Sequence, residues 1–348
     1  MKTFLSIIIG IFIFGIIVIV HEFGHYITAK LCKVRVTEFA IGMGPVIYQK
    51  KGKETTFSLR LLPLGGFCSM GEDEDSDDPN SFRKKPVPAK MAVILAGAFM
   101  NLVLGFVISI VAMLVSGVGV SSRIVYFDED AVSPSYGLQL DDTIEKINGT
   151  KIFTARDITY LLSTDDDGIV DFTVKRSGET VELNGVEFPM ITDEATGKYT
   201  LKYDFKVLAE KITIKNIVPY AFNNAVYCGR IVLMSLRDLV TGKYGLNDLQ
   251  GPVGIVTTIG SSVTEAGFDW DFLLQLASLI TINIGIFNLL PIPALDGGRF
   301  IFLVIEAIRR KPMKAETEGM IHFVGLALLM LLMIAVTFND VKNIFVNR

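Results

Sequence analysis

Apolar positions along the chain gather into four long uncharged runs, separated by shorter stretches with their own periodicity. Phe4 to Val20 is Ile-rich, Met91 to about Gly119 is the second run, Phe272 to Leu290 the third and Met320 to Phe338 the fourth. Each approaches the roughly 20 residues that a helix needs to cross a hydrocarbon core of about 30 Å. Lys2 could open a signal peptide, but no small-residue cleavage site follows and the run is long for that role, so a retained span is predicted. Ile217 to Val240 is also apolar, yet Phe222, Ala225, Val226, Gly229, Val232, Leu233 and Leu236 form one helical stripe with Asn223, Tyr227, Arg230 and Arg237 opposite. That pattern predicts an amphipathic helix lying on the membrane surface instead of a fifth span.

From about Ser121 to Lys211 the chain turns polar, with period-2 segments such as VDFTVKR and TVELNGV and a helix expected near Thr154 to Ser163. One compact α+β domain fits that alternation. Val46 to Leu62 alternates as a hairpin around Lys51, Gly52 and Lys53. The acidic run Glu72 to Asp78 lacks the spacing of a Ca²⁺ loop and predicts a solvated turn.

Composition agrees with residence in lipid. Of 348 residues, 50% are hydrophobic and only 20% charged, too apolar for an ordinary soluble domain. A net charge of -4 provides no basic footprint, which argues against a nucleic-acid partner. Cys32, Cys68 and Cys228 are too scattered for a disulfide framework or a CxxC site and read as buried or interfacial thiols.

Charge also orients the spans. Lys30, Lys33, Arg35, Arg83, Lys84, Lys85 and Lys90 flank the link between the first two runs, and Arg309, Arg310, Lys311 and Lys314 precede the fourth. Basic juxtamembrane segments are cytoplasmic, so both termini and the α+β domain are expected outside. The predicted organisation is a span with a polar end (1–29), a cytoplasmic hairpin region (30–90), a second span (91–119) and the outer domain (120–212). An amphipathic helix and connecting loop (213–271), a third span (272–295), a cytoplasmic link (296–318), a fourth span (319–338) and an outer tail (339–348) follow.

The chain has three histidines, and two stand in HEFGH as His21 and His25 around Glu22, where the first run ends. Residues four apart on a helix differ by about 40° in azimuth, so both imidazoles can reach one cation with Glu22 near a water beside it. A catalytic zinc takes a third protein ligand. The candidate is Asp296 in NLLPIPALDGGR, where Pro291 and Pro293 interrupt the helix and Gly297 and Gly298 permit close backbone approach. The plainer reading of Asp296 is a helix-end carboxylate paired with Arg299. Loop charge places the ends of the first and third spans on the same face, so the three ligands can meet. Gly97, Asn101 and Gly105 recur every four residues on the second span as a small, partly polar packing stripe. His322, near the start of the fourth span, reads as an interfacial residue.

HEFGH, GAFMN and NLLPIPALDGG, in that order and on successive spans, resemble the site-2 protease family, most closely its bacterial regulator-of-sigma-E branch. FAIGMGP, PLGGFCSMGE, SFRKKPVPAKMAVILAG and GPVGI extend the resemblance almost end to end. Two positions depart from it: Ala98 stands where the family often has proline, and Asp141 where its outer domain usually has glycine.

The resemblance implies a polytopic α-helical membrane protein of four transmembrane helices in the bacterial inner membrane. It adds a membrane-associated β-hairpin loop and one extracytoplasmic PDZ-like domain, the latter on YGLQLDDTIEKINGTKI. It further implies one Zn²⁺ per chain on His21, His25 and Asp296, Glu22 as general base, and Asn288 with the Pro291 to Pro293 segment lining the substrate channel. Substrate is expected to be held extended by pairing with the edge of that hairpin, which the Gly65 and Gly66 pair follows, and Gly97 and Asn101 would pack the active site. Expected substrates are single-span proteins already shortened by an upstream site-1-type protease, such as anti-sigma factors or signal-peptide remnants. A metal-ion transporter would need a second polar relay or internal repeats, which are not seen. A catalytically silent scaffold conflicts with the intact HEFGH and LDGG.

Overall fold

The structure is a computed structural model that describes residues 2–71, 78–192, 199–242, 245, 249–264 and 267–346. All of the acidic run except Asp78 lies outside the described residues. The chain divides into two compact units, one of Met1–Ile108 with Ile231–Arg348 and the other of Ser109–Arg230.

Among the described residues four helices are long and apolar enough to cross a membrane. They are α1 (Lys2–Leu31), α2 (Val87–Ser116), α6 (Trp270–Leu289) and α8 (Ala315–Val346), the last two numbered after helices described below. Small residues let them approach: a Cβ on Gly24 of α1 would strike the Ala96 carbonyl of α2, and one on Gly105 of α2 would strike Ile282 of α6. Ser278 Oγ donates to the Gly105 carbonyl at 3.0 Å, which ties α6 to α2.

Between α1 and α2 lie β1 (Glu38–Lys51) and β2 (Thr56–Ser69). Each folds on itself at glycines with positive φ, Gly42 and Gly44 in β1 and Gly65 in β2, so two strands make a sheet of four segments. The registers give the order Val46–Lys51, Thr56–Arg60, Glu38–Ile41, Gly66–Ser69, with the expected hairpin on one side and a second, short edge segment on the other.

The second unit carries β3 (Val118–Phe127), β4 (Thr143–Ile147), β5 (Thr150–Lys151), α3 (Ala155–Ser163), β6 (Ile169–Arg176) and β7 (Glu179–Glu187). It continues through β8 (Met190–Thr192), β9 (Tyr199–Leu201) and β10 (Phe205–Lys211). Its sheet runs β10-β3-β4-β6-β7, with Ile124, Leu138, Ile144, Leu162, Phe172 and Val186 at the centre of the core. Thr154 and Asp157 form a capping box that starts α3 within a residue of its expected position. Asp141 has φ +68, the left-handed region that glycine enters freely, which suits the glycine usual there; the aspartate in its place has no structural explanation.

Helix α4 spans Ile217–Val240 as expected, and one residue of its polar face, Arg230, turns inward. Ala221, Asn224, Cys228 and Val232 are buried, while Phe222 and Leu233 of the apolar stripe stay exposed. Arg230, assigned to the solvent side, is bound instead by the Asp157 carboxylate and the Lys151 carbonyl. A polar residue on an amphipathic helix can thus be the inward one when a protein carboxylate awaits it.

Three further boundaries differ. The loop within 213–271 contains α5 (Pro252–Ser261), which packs on α1 through Gly10 and Gly260. The link 296–318 begins with α7 (Asp296–Arg309), fastened to α2 by a 2.6 Å ion pair of Glu306 with the buried Lys90. The expected tail 339–348 is helical through Val346, because Asp340 is buried and accepts the Gly251 and Gly254 amides, its closest bonds 3.0 and 2.8 Å. A polar pair, Asn339 and Asp340, marks an end in the sequence; in the fold its carboxylate caps α5.

Candidate metal centre

One turn of α1 separates His21 from His25, whose rings meet edge to face with centroids 4.8 Å apart. Their Nε2 atoms lie 3.2 Å from each other, and Asp296 Oδ2 lies 3.1 Å from the first and 3.3 Å from the second. Ligand atoms of all three residues fall within 4.8 Å of one another.

The backbone that delivers Asp296 departs from regular helix. Pro291 and Pro293 follow the end of α6, and Ala294 takes φ +78 before α7 begins at Asp296. Gly297 and Gly298 sit against the carbonyls of Leu290 and Ile292 so closely that any side chain would collide. The DGG string therefore packs the start of α7 back over the end of α6.

Proton accounting identifies what the cluster lacks. His25 Nδ1 lies 2.8 Å from the Val93 carbonyl, which can only accept, so Nδ1 carries a proton and, in the neutral ring, Nε2 presents a lone pair. That lone pair points at a carboxylate oxygen, Asp296 Oδ2, which is buried and has no donor among the described residues. Two acceptors at 3.3 Å repel unless a proton or a cation lies between them. Two imidazole nitrogens and a carboxylate oxygen suit a zinc ion, with a position left open.

The second span supports the imidazoles from beneath. A Cβ on Gly97 would collide with both rings, so only glycine fits there. Asn101 is fully buried, with its amide nitrogen 3.3 Å from His21 Nδ1 and its Oδ1 without a partner among the described residues. Turning the amide over puts Oδ1 on Nδ1 as acceptor, satisfies the orphan oxygen and leaves His21 Nε2 free, the usual arrangement of a metal-bound histidine.

Glu22 lies in the field of His21, His25 and Asp296, and its carboxylate accepts the Cys68 amide. The edge segment Gly66–Ser69 thus runs alongside it: a Cβ on Gly66 would stand 3.4 Å from Glu22 Cγ. Burial pushes the Cys68 thiol up to about 12, which keeps it protonated and unfit as a ligand.

The remaining residues singled out in the sequence are more dispersed. Gly65 has φ +79 and turns the chain against Met43. Asn288 is half-buried in the last turn of α6, Pro291 is exposed, and Pro293 packs on Gly325 of α8. Sequence reasoning did not find the Val93 carbonyl or the Cys68 amide, because a backbone contact leaves no trace in residue type. His322 is also better placed than its reading as an interfacial residue: its Nδ1 lies 2.9 Å from the Ala294 amide.

The family model described as peptidase family M50 matches residues 9–332. Similar proteins include the regulator of sigma-W protease RasP of Bacillus subtilis, 31% identical with 98% of this chain and 99% of that one covered. The zinc metalloproteases RasP of Shouchella clausii and Geobacillus kaustophilus are each 30% identical, covering 96% and 99% of this chain and 98% and 99% of their own.

Proposed function

The chain belongs to peptidase family M50, and we propose that His21, His25 and Asp296 hold its zinc while Glu22 moves the proton. It is a zinc metalloprotease of the site-2 type, acting within the membrane. The observation that carries the residue assignment is the pair of facing lone pairs, His25 Nε2 and Asp296 Oδ2, with the other face of His25 committed to the Val93 carbonyl.

When bound, zinc supplies a Lewis acid that polarises the scissile carbonyl and makes water acidic enough to attack at neutral pH. Glu22 takes the water proton and passes it to the leaving amine. Asn101 and Val93 keep each imidazole in the tautomer that presents Nε2.

A helical substrate hides its peptide bonds in its own hydrogen bonds and must be held extended. The edge segment Gly66–Ser69 is bonded to Glu38–Ile41 on one side only and runs beside Glu22, so a substrate strand added there lies within reach of the base. This assigns substrate pairing to that segment more than to the hairpin of Val46–Lys51. Asn288 and the Pro291 to Pro293 segment line the channel leading to it.

The substrates are single-span membrane proteins shortened beforehand by an upstream protease. The name of the Bacillus subtilis relative points to an anti-sigma factor as one such class. Both termini and the domain of residues 120–212 lie outside the cell membrane, and that domain, PDZ-like in sequence, excludes substrates still carrying a large outer portion. Deleting it should admit longer substrates; unchanged selection would remove that role. To test the assignment, candidate single-span proteins are co-expressed with wild type and Glu22→Gln. An intermediate that accumulates only with the variant is expected, and equal turnover in both would overturn the role of Glu22.

A further inference from the structure

We propose that His322 is a positioning residue for the zinc ligand Asp296, acting through the backbone of the loop that carries it. The inference rests on Asp296 being a ligand.

Three observations meet at that loop. Ala294, two residues before Asp296, has φ +78, a conformation that an L side chain disfavours and that needs an outside hold. Its amide donates to His322 Nδ1 on α8 at 2.9 Å. One turn further along α8, Gly325 meets Pro293 so closely that a Cβ would collide with its ring and its carbonyl. The fourth span therefore grips the loop at two successive residues, once by a hydrogen bond and once by bare backbone contact.

The chemistry of the contact is directional. A backbone amide can only donate, so His322 Nδ1 accepts, and the imidazole is neutral with its proton on Nε2. That Nε2 is buried with no partner among the described residues, while the ring stands edge to face with Phe302 at 5.2 Å. Leaving a buried donor unpaired is costly, and it is tolerated here where the opposite face of the ring serves the loop. His322 is not a ligand, since its lone pair is already committed to Ala294.

The role distinguishes His322 from a residue that merely fills space. Phenylalanine keeps the ring and the Phe302 contact but cannot accept; leucine removes both ring and acceptor; asparagine loses the ring but puts Oδ1 close to where Nδ1 stood. The full-length protein is purified as wild type, His322→Phe, His322→Leu, His322→Asn and Asp296→Ala. Zinc retention is read against graded chelator, alongside kcat and KM on a single-span substrate.

Removing a partner that orients a metal ligand costs about 10- to 100-fold in metal affinity or rate. The Phe and Leu variants should lose that much zinc affinity and kcat at unchanged KM, and Asn should restore both to within about threefold of wild type. Wild-type affinity and kcat in either acceptor-less variant would overturn the inference. Should Asp296→Ala also bind zinc like wild type, it is the ligand assignment that fails and not the link from His322 to the loop.

A measurement on the unaltered protein covers variants that do not fold. With only three histidines in the chain, ring ¹⁵N labelling resolves His322 directly. An unprotonated Nδ1 and a protonated Nε2 are expected; a proton on Nδ1 would exclude the hydrogen bond and with it the proposal.

Discussion

Two buried carboxylates of the second unit and the carboxylate at the candidate metal centre of the first differ in kind in their surroundings, whereas Asp340 of the first unit, fed by the Gly251 and Gly254 amides, sides with the former. In the second unit Asp142 receives Arg176 through two 2.8 Å bonds and the Gln139 amide at 2.9 Å. Asp204 there takes the Val132 and Ser133 amides and the Ser133 hydroxyl at 2.6 to 2.9 Å. Every partner is a donor, and each carboxylate serves to fasten loops to the sheet. In the first unit Asp296 faces two imidazole nitrogens, one of which is an acceptor in the neutral ring that its Val93 bond orients, and Oδ2 has no donor among the described residues. A satisfied carboxylate is a structural tie; a buried one surrounded by lone pairs is waiting for a cation.

Breaking the functional side of this contrast should have the largest effect. Glu22→Gln keeps the three proposed ligands and removes the proposed proton carrier, so cleavage should fall by about 10²- to 10⁴-fold with one zinc per chain retained. Single-turnover cleavage and metal analysis on the same sample check it, and loss of zinc with activity would mean that Glu22 acts on the site's integrity.

The structural side is broken at Asp142. Asp142→Ala leaves Arg176 and the Gln139 amide without their carboxylate and should destabilise the second unit by about 3 kcal/mol. Chemical denaturation measures this. Zinc stoichiometry in the folded fraction should not change; a parallel loss would show that the two kinds of carboxylate are not separate.

Gly97→Ala probes the floor of the proposed metal site without replacing a ligand. Its methyl group must displace both imidazoles, and about a 10- to 100-fold loss of zinc affinity is expected with the fold intact. Competition against a chelator reads it. The smallest effect is a gain: Asp141→Gly relieves a positive φ and should stabilise the second unit by about 1 kcal/mol, visible as a raised unfolding midpoint.

Much of the site was legible in the sequence because its chemistry is carried by rare residue types at fixed spacing. His21, Glu22 and His25 follow from helical geometry alone, and Asp296 follows from needing a partner at membrane depth. The spans were legible for a similar reason, since lipid leaves few ways to cross it. What could not be read was whatever depends on backbone. The glycine folds at Gly42, Gly44 and Gly65 convert a plain hairpin into a four-segment sheet and bring Gly66–Ser69 to Glu22. The start of α7 was hidden because DGG reads as a turn, although it packs as the first turn of a helix. Arg230 and Asp340 looked like solvent-facing or terminal residues until their partners, Asp157 and the α5 amides, were brought to them by the fold.

The most direct test of the account is X-ray absorption at the zinc edge on the purified full-length protein, with metal content measured in parallel. One zinc per chain is expected, bound by two imidazole nitrogens and carboxylate oxygen with no sulfur, and lost when Asp296 is replaced by alanine. Protein without stoichiometric metal, or a zinc whose coordination is unchanged in Asp296→Ala, would contradict it.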